Sequence, residues 1–375
     1  MRLRKQAAIF IAALALVGAG ACAPRAASPG SACTLSQPAN SSIGHDVPTA
    51  VAPFGDGVVS IGSQFTGSSG SGFSAFGTAG TWQPVAVGAY GNKIVTLDDV
   101  STVGGEAWAV GAFTDVAPVA TRWDGKTWVA TAVADPGPGE DGFAGVAAVT
   151  PDLVWAVGRH QDGIPFRTLI ERWDGTAWHP VPSANVGATS NMLKEVAADG
   201  PNDAWAVGWF VRGGRYQTLA EHWDGSTWSI VSTPNATSGD SLLSGVAVVH
   251  RNDVWAVGWT ARGDARSPLA LHWDGRSWKV VSLPSDAVHS ALTDVVATPG
   301  GVVAVGRLYG GPQPQPFVMR ETASGRELTP FDVGPDPGSL TGATVDAAGS
   351  LWAVGSVMQN NNSVVSLVLT GCAPG

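Results

Sequence analysis

Hydrophobic positions along the chain come in short runs separated by turn-forming residues, and the runs recur in a fixed order. One run, centred on Trp-Ala-Val-Gly, places its Trp at Trp108, Trp155, Trp205, Trp255 and Trp352. Val303-Ala304-Val305-Gly306 and Val59-Ser60-Ile61-Gly62 are weaker copies, and the seven starts lie 47 to 50 residues apart. A second element, Trp-Asp-Gly-x-x-Trp, runs Trp123–Trp128, Trp173–Trp178, Trp223–Trp228 and Trp273–Trp278, with a constant spacing of 50. Two motifs held in phase over this length are the mark of a repeat architecture.

Each unit predicts four strands. In the clearest copy these are Leu243–Val249, Val254–Thr260, Leu269–Trp273 and Trp278–Ser282. Asp274-Gly275 sits between the last two, and Asp-Gly suits a tight hairpin that needs positive φ. Pro201-Asn202-Asp203 and His250-Arg251-Asn252-Asp253 turn the first strand into the second. Units of about 50 residues with four antiparallel strands build propeller blades, so an all-β, seven-bladed propeller is expected over 33–372. Composition agrees: 49 Gly, 25 Pro and only 14% charged residues suit many short strands joined by turns.

The two motifs resemble kelch repeats, including those of the galactose-oxidase central domain, which pair a strand ending in Gly with a Tyr-Asp-Pro…Trp hairpin. Trp-Ala-Val-Gly and Trp-Asp-Gly-x-x-Trp hold the matching positions over nearly all of the chain after the leader. The kelch Gly-Gly doublet is here a single Gly followed by Trp209, Trp259, Arg159 or Arg307. The resemblance implies the fold and leaves activity open. A galactose-oxidase copper site needs paired Tyr, a cross-linking Cys and His ligands, and the chain offers only Tyr90, Tyr216 and Tyr309. The Asp-Gly hairpin is also similar to the sialidase Asp-box, but its spacing differs. No cofactor is expected.

The ends carry separate signals. Arg2, Arg4 and Lys5 precede the apolar run 7–21, as in a secretory signal peptide over 1–21. Ala19-Gly20-Ala21 before Cys22 is similar to a bacterial lipobox, which makes Cys22 a candidate for lipidation and the protein a cell-surface lipoprotein; an ordinary signal peptidase site is the alternative, giving a secreted protein. Residues 22–32 read as an Ala/Pro/Ser-rich linker. The last unit lacks a fourth strand, and 33–38 aligns with the fourth strand at 228–234. Ring closure by this N-terminal strand is therefore expected, with a Cys33–Cys372 disulfide in place of the hairpin link. Three cysteines, one of them at the cleavage site, fit that pairing.

Charge then narrows the partners. At a net −9, with Arg2, Arg4 and Lys5 in the leader, the chain is a poor general nucleic-acid binder, and a monomer is expected. Loops from second to third strands share one propeller face with those from fourth to first. On that face lie Arg159, His160, Arg167, Arg212, Arg215, Tyr216, Arg262, Arg266, Arg307 and Tyr309, against only Asp162 and Asp264. Trp209 and Trp259 follow the motif Gly at the strand exit. Arg forks suit anionic groups and aromatic rings suit sugars, so this face is the candidate ligand site for a glycan or an extracytoplasmic protein; loop solvation with cation–π packing is the plainer reading. Asp98, Asp99, Lys194, Glu195 and Asp294 fall where first strands begin, with Gly145, Gly245 and Gly342 in other units. Carboxylates converging on the axis would suit a cation site or a carbohydrate-active hydrolase or lyase, but spacing alone leaves convergence open, and ordinary solvated charges at a loop end are the plainer reading.

Overall fold

The computed structural model describes residues 46–372, apart from short segments at 67–68, 79–80, 89–93, 114–116, 135–136, 138, 162, 164, 237, 264, 285–286, 288, 323–324 and 360–363. Seven antiparallel sheets follow one another at 46–86, 95–131, 142–180, 191–230, 240–280, 290–330 and 338–372. Within each sheet, strands adjacent in sequence are neighbours in space. The chain is a seven-bladed β-propeller. Blade five shows how closely pattern and strand agree, with strands Asp240–His250, Asp253–Arg262, Ala265–Trp273 and Trp278–Val280.

Blade seven has three strands among the described residues. The segment 33–38, expected to supply the fourth, lies outside them, as do Cys22, Cys33 and the Cys372 side chain. The last blade nevertheless meets the first directly. Thr341 Oγ1 donates to the Pro48 carbonyl at 2.9 Å, and Ser366 Oγ to that of Asp46 at 3.1 Å.

The motif tryptophans form the core between blades. Trp205 of blade four is 1% exposed and sits in the cleft of the blade-five hairpin, 5.0 Å from Trp273 and 5.1 Å from Trp278. Trp155 repeats this with Trp223 and Trp228, and Trp108 with Trp173 and Trp178. Tilted and edge-on rings at these separations add to burial. The hairpin is held open for its guest by its Asp: Asp224 Oδ1 accepts the N–H groups of Ser226 and Thr227, and Gly225 turns the chain at φ +96°. One motif therefore makes a socket, and the other fills the socket of the next blade.

Candidate functional site

The Gly of Trp-Ala-Val-Gly sets the geometry at the axis. A side chain on Gly208 would overlap the Met192 carbonyl of the first strand, because the two strands run unusually close there. Opposite that Gly the first strand bulges, the register shifting between Leu193 and Glu195 so that Lys194 has no partner. A bulge re-aims a side chain. All seven blades repeat the device, putting Thr49, Asp98, Ala144, Lys194, Ser244, Thr293 and Thr341 at the bulges. These same seven residues line one axial cavity of about 570 Å³.

A second ring sits beside the bulges and alternates acid with small residues: Ala50, Asp99, Gly145, Glu195, Gly245, Asp294, Gly342. The axial carboxylates thus converge, which spacing left open. Asp99 accepts the Val100 N–H on Oδ1 and the Val146 N–H of the next blade on Oδ2, at 2.8 and 2.7 Å. Asp294 does the same with Val295 and Ala343, at 2.7 and 2.8 Å. Burial pushes Asp294 up to about 6, its N–H partners opposing. Burial also raises Asp99 and Glu195, and repulsion from Asp99 and Asp294 raises Glu195 further. Among the described residues no group of three His, Cys, Asp or Glu is placed to hold a metal ion.

Asp98 differs from this ring. Its side chain is exposed to the cavity, yet the surrounding walls raise its carboxyl, against the pull of Lys194 and Arg159. Arg159 also lines the cavity, 3.9 Å from Glu140 and stacked 5.2 Å from the Phe166 ring. Asp141 in the same wall is buried and takes His160 Nδ1 at 2.8 Å.

The Arg and aromatic loops open around this cavity. Met192, a cavity residue, pairs across the strands with Trp209. Trp209 is half-buried, its ring 4.8 Å from that of Tyr216, which is 39% exposed. Trp259 is half-buried beneath Arg266, whose guanidinium lies 4.4 Å from the ring and donates to the Tyr309 hydroxyl at 3.1 Å. Arg307 covers the other partner of that bridge, 5.2 Å from the Tyr309 ring. Arg212 stacks on Phe210 at 5.3 Å, while Arg215 and Arg262 are exposed at two-residue turns. The structure therefore splits the loop cations: Arg266 ties blades five and six together, and Arg215 and Arg262 project from their turns.

Sequence reasoning passed over Thr49, Ala144, Ser244, Thr293 and Thr341, together with Glu140 and Asp141. The bulge residues had a usable signal, since each lies 13 or 14 positions before a motif Gly. Glu140 had none, whereas Asp141 lies three positions before its bulge, where Asp46, Asn191, Ser241 and Ser290 also place a buried polar residue.

No family model matches the chain, and no curated protein sequence does either. Solved structures do. YCF48 from Cyanidioschyzon merolae aligns with a TM-score of 0.57 at 16% identity, covering 90% of this chain and 98% of that one. A structure of YCF48 bound to D1 peptide gives 0.58 at 15%, covering 93% and 97%. The GH74 xyloglucanase from Xanthomonas campestris gives 0.55 at 13%, covering 89% of this chain and 55% of the enzyme. At such identities the likeness is one of fold: this chain shares the propeller ring with a peptide-bound protein and a glycan-acting enzyme.

Proposed function

We propose that the protein is an extracytoplasmic binding module that captures a glycan or a protein on the face carrying the Arg and aromatic loops. One observation carries this reading: the axial cavity opens on that same face, joined to it through Arg159 and through the Met192–Trp209 pair. A concave site rimmed by aromatic and Arg side chains is the common form of a recognition surface. The peptide-bound and glycan-acting neighbours in fold are compatible with either ligand class.

Two of the axial carboxylates are committed to holding the blades together and are poor candidates for hydrolysis. Glycoside cleavage needs two carboxyl groups free to face the substrate. Asp99 and Asp294 spend both oxygens on backbone N–H groups, joining their own blade to the next. They act as blade locks.

A glycan array and a pull-down from an envelope extract, run with wild type and with Trp209→Ala/Trp259→Ala, test the proposal. The double variant is expected to lose capture while melting within a few degrees of wild type. Charge reversal at Arg215 and Arg262 should weaken an anionic ligand, less so as salt rises. A double variant as destabilised as Trp205→Ala would show that both rings serve the core, and would remove the site.

Export belongs to the same proposal. It is supported by the basic and apolar leader and by Ala-Gly-Ala-Cys, with Cys22 as the anchor point. The kelch-type relationship stands likewise on the motif correspondences alone.

A further inference from the structure

The seven bulge residues divide into two arcs. In blades one, six and seven the residue is Thr, and each hydroxyl lies between a carbonyl of its own second strand and a carbonyl of the next blade. Thr49 reaches Ile61 and Leu97 at 3.2 and 2.7 Å, and Thr293 reaches Val305 and Leu340 at 3.0 and 2.9 Å. Thr341 reaches Val354 and Pro48 at 3.2 and 2.9 Å. This is a repeated latch between neighbours. Blades two to five replace it with Asp98, Ala144, Lys194 and Ser244.

The replacement arc has a defined chemistry. Asp98 and Lys194 flank the blade that carries Ala144, whose methyl group leaves a notch between them, and all three line the cavity. The charges lining this arc balance in number, Asp98 and Glu140 against Lys194 and Arg159, with Glu140 3.9 Å from Arg159. A charged ligand would meet a like charge in this mixed wall whichever sign it carried. A neutral ligand carrying both donors and acceptors would not. Adjacent hydroxyls supply both, since each can donate and accept. The cavity's size, about 570 Å³, is that of a small-molecule site.

We propose that the arc formed by Asp98, Ala144 and Lys194, with Arg159 beside it, binds a neutral sugar residue through adjacent hydroxyls. One hydroxyl donates to Asp98, its neighbour accepts from Lys194, and the ring occupies the notch over Ala144. The inference rests on the binding role proposed above and names the ligand class of its central subsite.

Calorimetric titration with neutral trisaccharides of glucose, mannose and N-acetylglucosamine tests it, beside an oligogalacturonate and a panel of unstructured peptides. Wild type is expected to bind at least one neutral sugar in preference to the acidic one. Ala144→Leu, which fills the notch and leaves every charge in place, should weaken that binding about tenfold or more. Asp98→Asn and Lys194→Met should each do likewise, and all three should melt near wild type. Ser366→Ala, which removes a hydroxyl link between the last and first blades away from the cavity, should lower the melting temperature and leave sugar affinity unchanged. If Ala144→Leu fails to fold, the isosteric Asp98→Asn decides. The proposal is overturned if no neutral sugar binds at about 1 mM, if the acidic sugar or a peptide is preferred, or if folded Ala144→Leu and Asp98→Asn bind as wild type. Should capture still depend on Trp209 and Trp259 in that event, the loop-face binding role survives and only this subsite falls.

Discussion

Two glutamates inside the blades show how strongly a single residue's surroundings set its charge. Glu221 and Glu171 occupy the same position in third strands and are fully buried. Each accepts a backbone N–H from the linker entering its blade, Ala184 for Glu221 at 3.2 Å and Ala134 for Glu171 at 3.3 Å. Burial pushes their carboxyls up to about 8 and about 7, with the linker N–H groups opposing. From the ordinary value of 4.5 up to about 8, folded Glu221 holds a proton that the unfolded chain has released. Stability from this residue is therefore full below that window and falls as pH rises through it. The hairpin Asp residues work the other way. The Ser226 hydroxyl, then the N–H groups of Thr227 and Ser226, hold Asp224 down at about 2, so its contribution is lost as pH falls through that value. Melting temperature should decline from pH 5 to pH 9, and Glu221→Gln, which keeps an acceptor for Ala184, should flatten the decline. A variant as pH-sensitive as wild type would assign the effect elsewhere.

At the scale of strands and hairpins, stability depends on whether a socket receives its tryptophan. Trp205 fills the Trp273–Trp278 hairpin. Trp255, 8% exposed, faces a blade six that lacks the motif, and there Arg326 lies over its ring at 5.4 Å. Trp205→Ala should cost about 3–5 kcal/mol, the usual range for emptying a core Trp site. Trp255→Ala should cost clearly less, because a flexible Arg at the blade surface can move into the space. Urea unfolding of both variants checks this. Equal losses would show that the tryptophan pair of the hairpin adds nothing to the socket. Both motifs were readable in the sequence, and so was their packing role. Their pairing across blades was not, since partners such as Trp205 and Trp273 are far apart in the chain and meet only when the ring forms.

For the molecule as a whole, the open question of covalent form concerns the three cysteines. The chain at Asp46 already lies on the last strand, through the Ser366 hydroxyl. A Cys33–Cys372 bridge would close a loop spanning nearly the whole ring, and bridges of this kind contribute about 2–4 kcal/mol. A non-reducing peptide map of exported protein should recover Cys33 joined to Cys372, and Cys22 at a new N-terminus carrying lipid mass. Free, alkylatable Cys33 and Cys372 would remove the bridge. An N-terminus at or after Cys22 without lipid would make the protein a plainly secreted one.

The sequence by itself determined the blade, the blade count and the two packing motifs. Strand alternation, Asp-Gly turns and Trp spacing are local properties that each 50-residue unit states again. Which loops share a face also followed, because antiparallel order fixes it once the strands are known. Only the tertiary structure decided what stands at the axis. Lys194 and Asp98 are ordinary polar residues in their own strands, and a bulge opposite a glycine is what turns them inward. Three carboxylates at Asp99, Glu195 and Asp294 read as solvated charges until the ring brings them together, where burial raises all three. Convergence on an axis is a property of seven blades at once, and no single repeat encodes it.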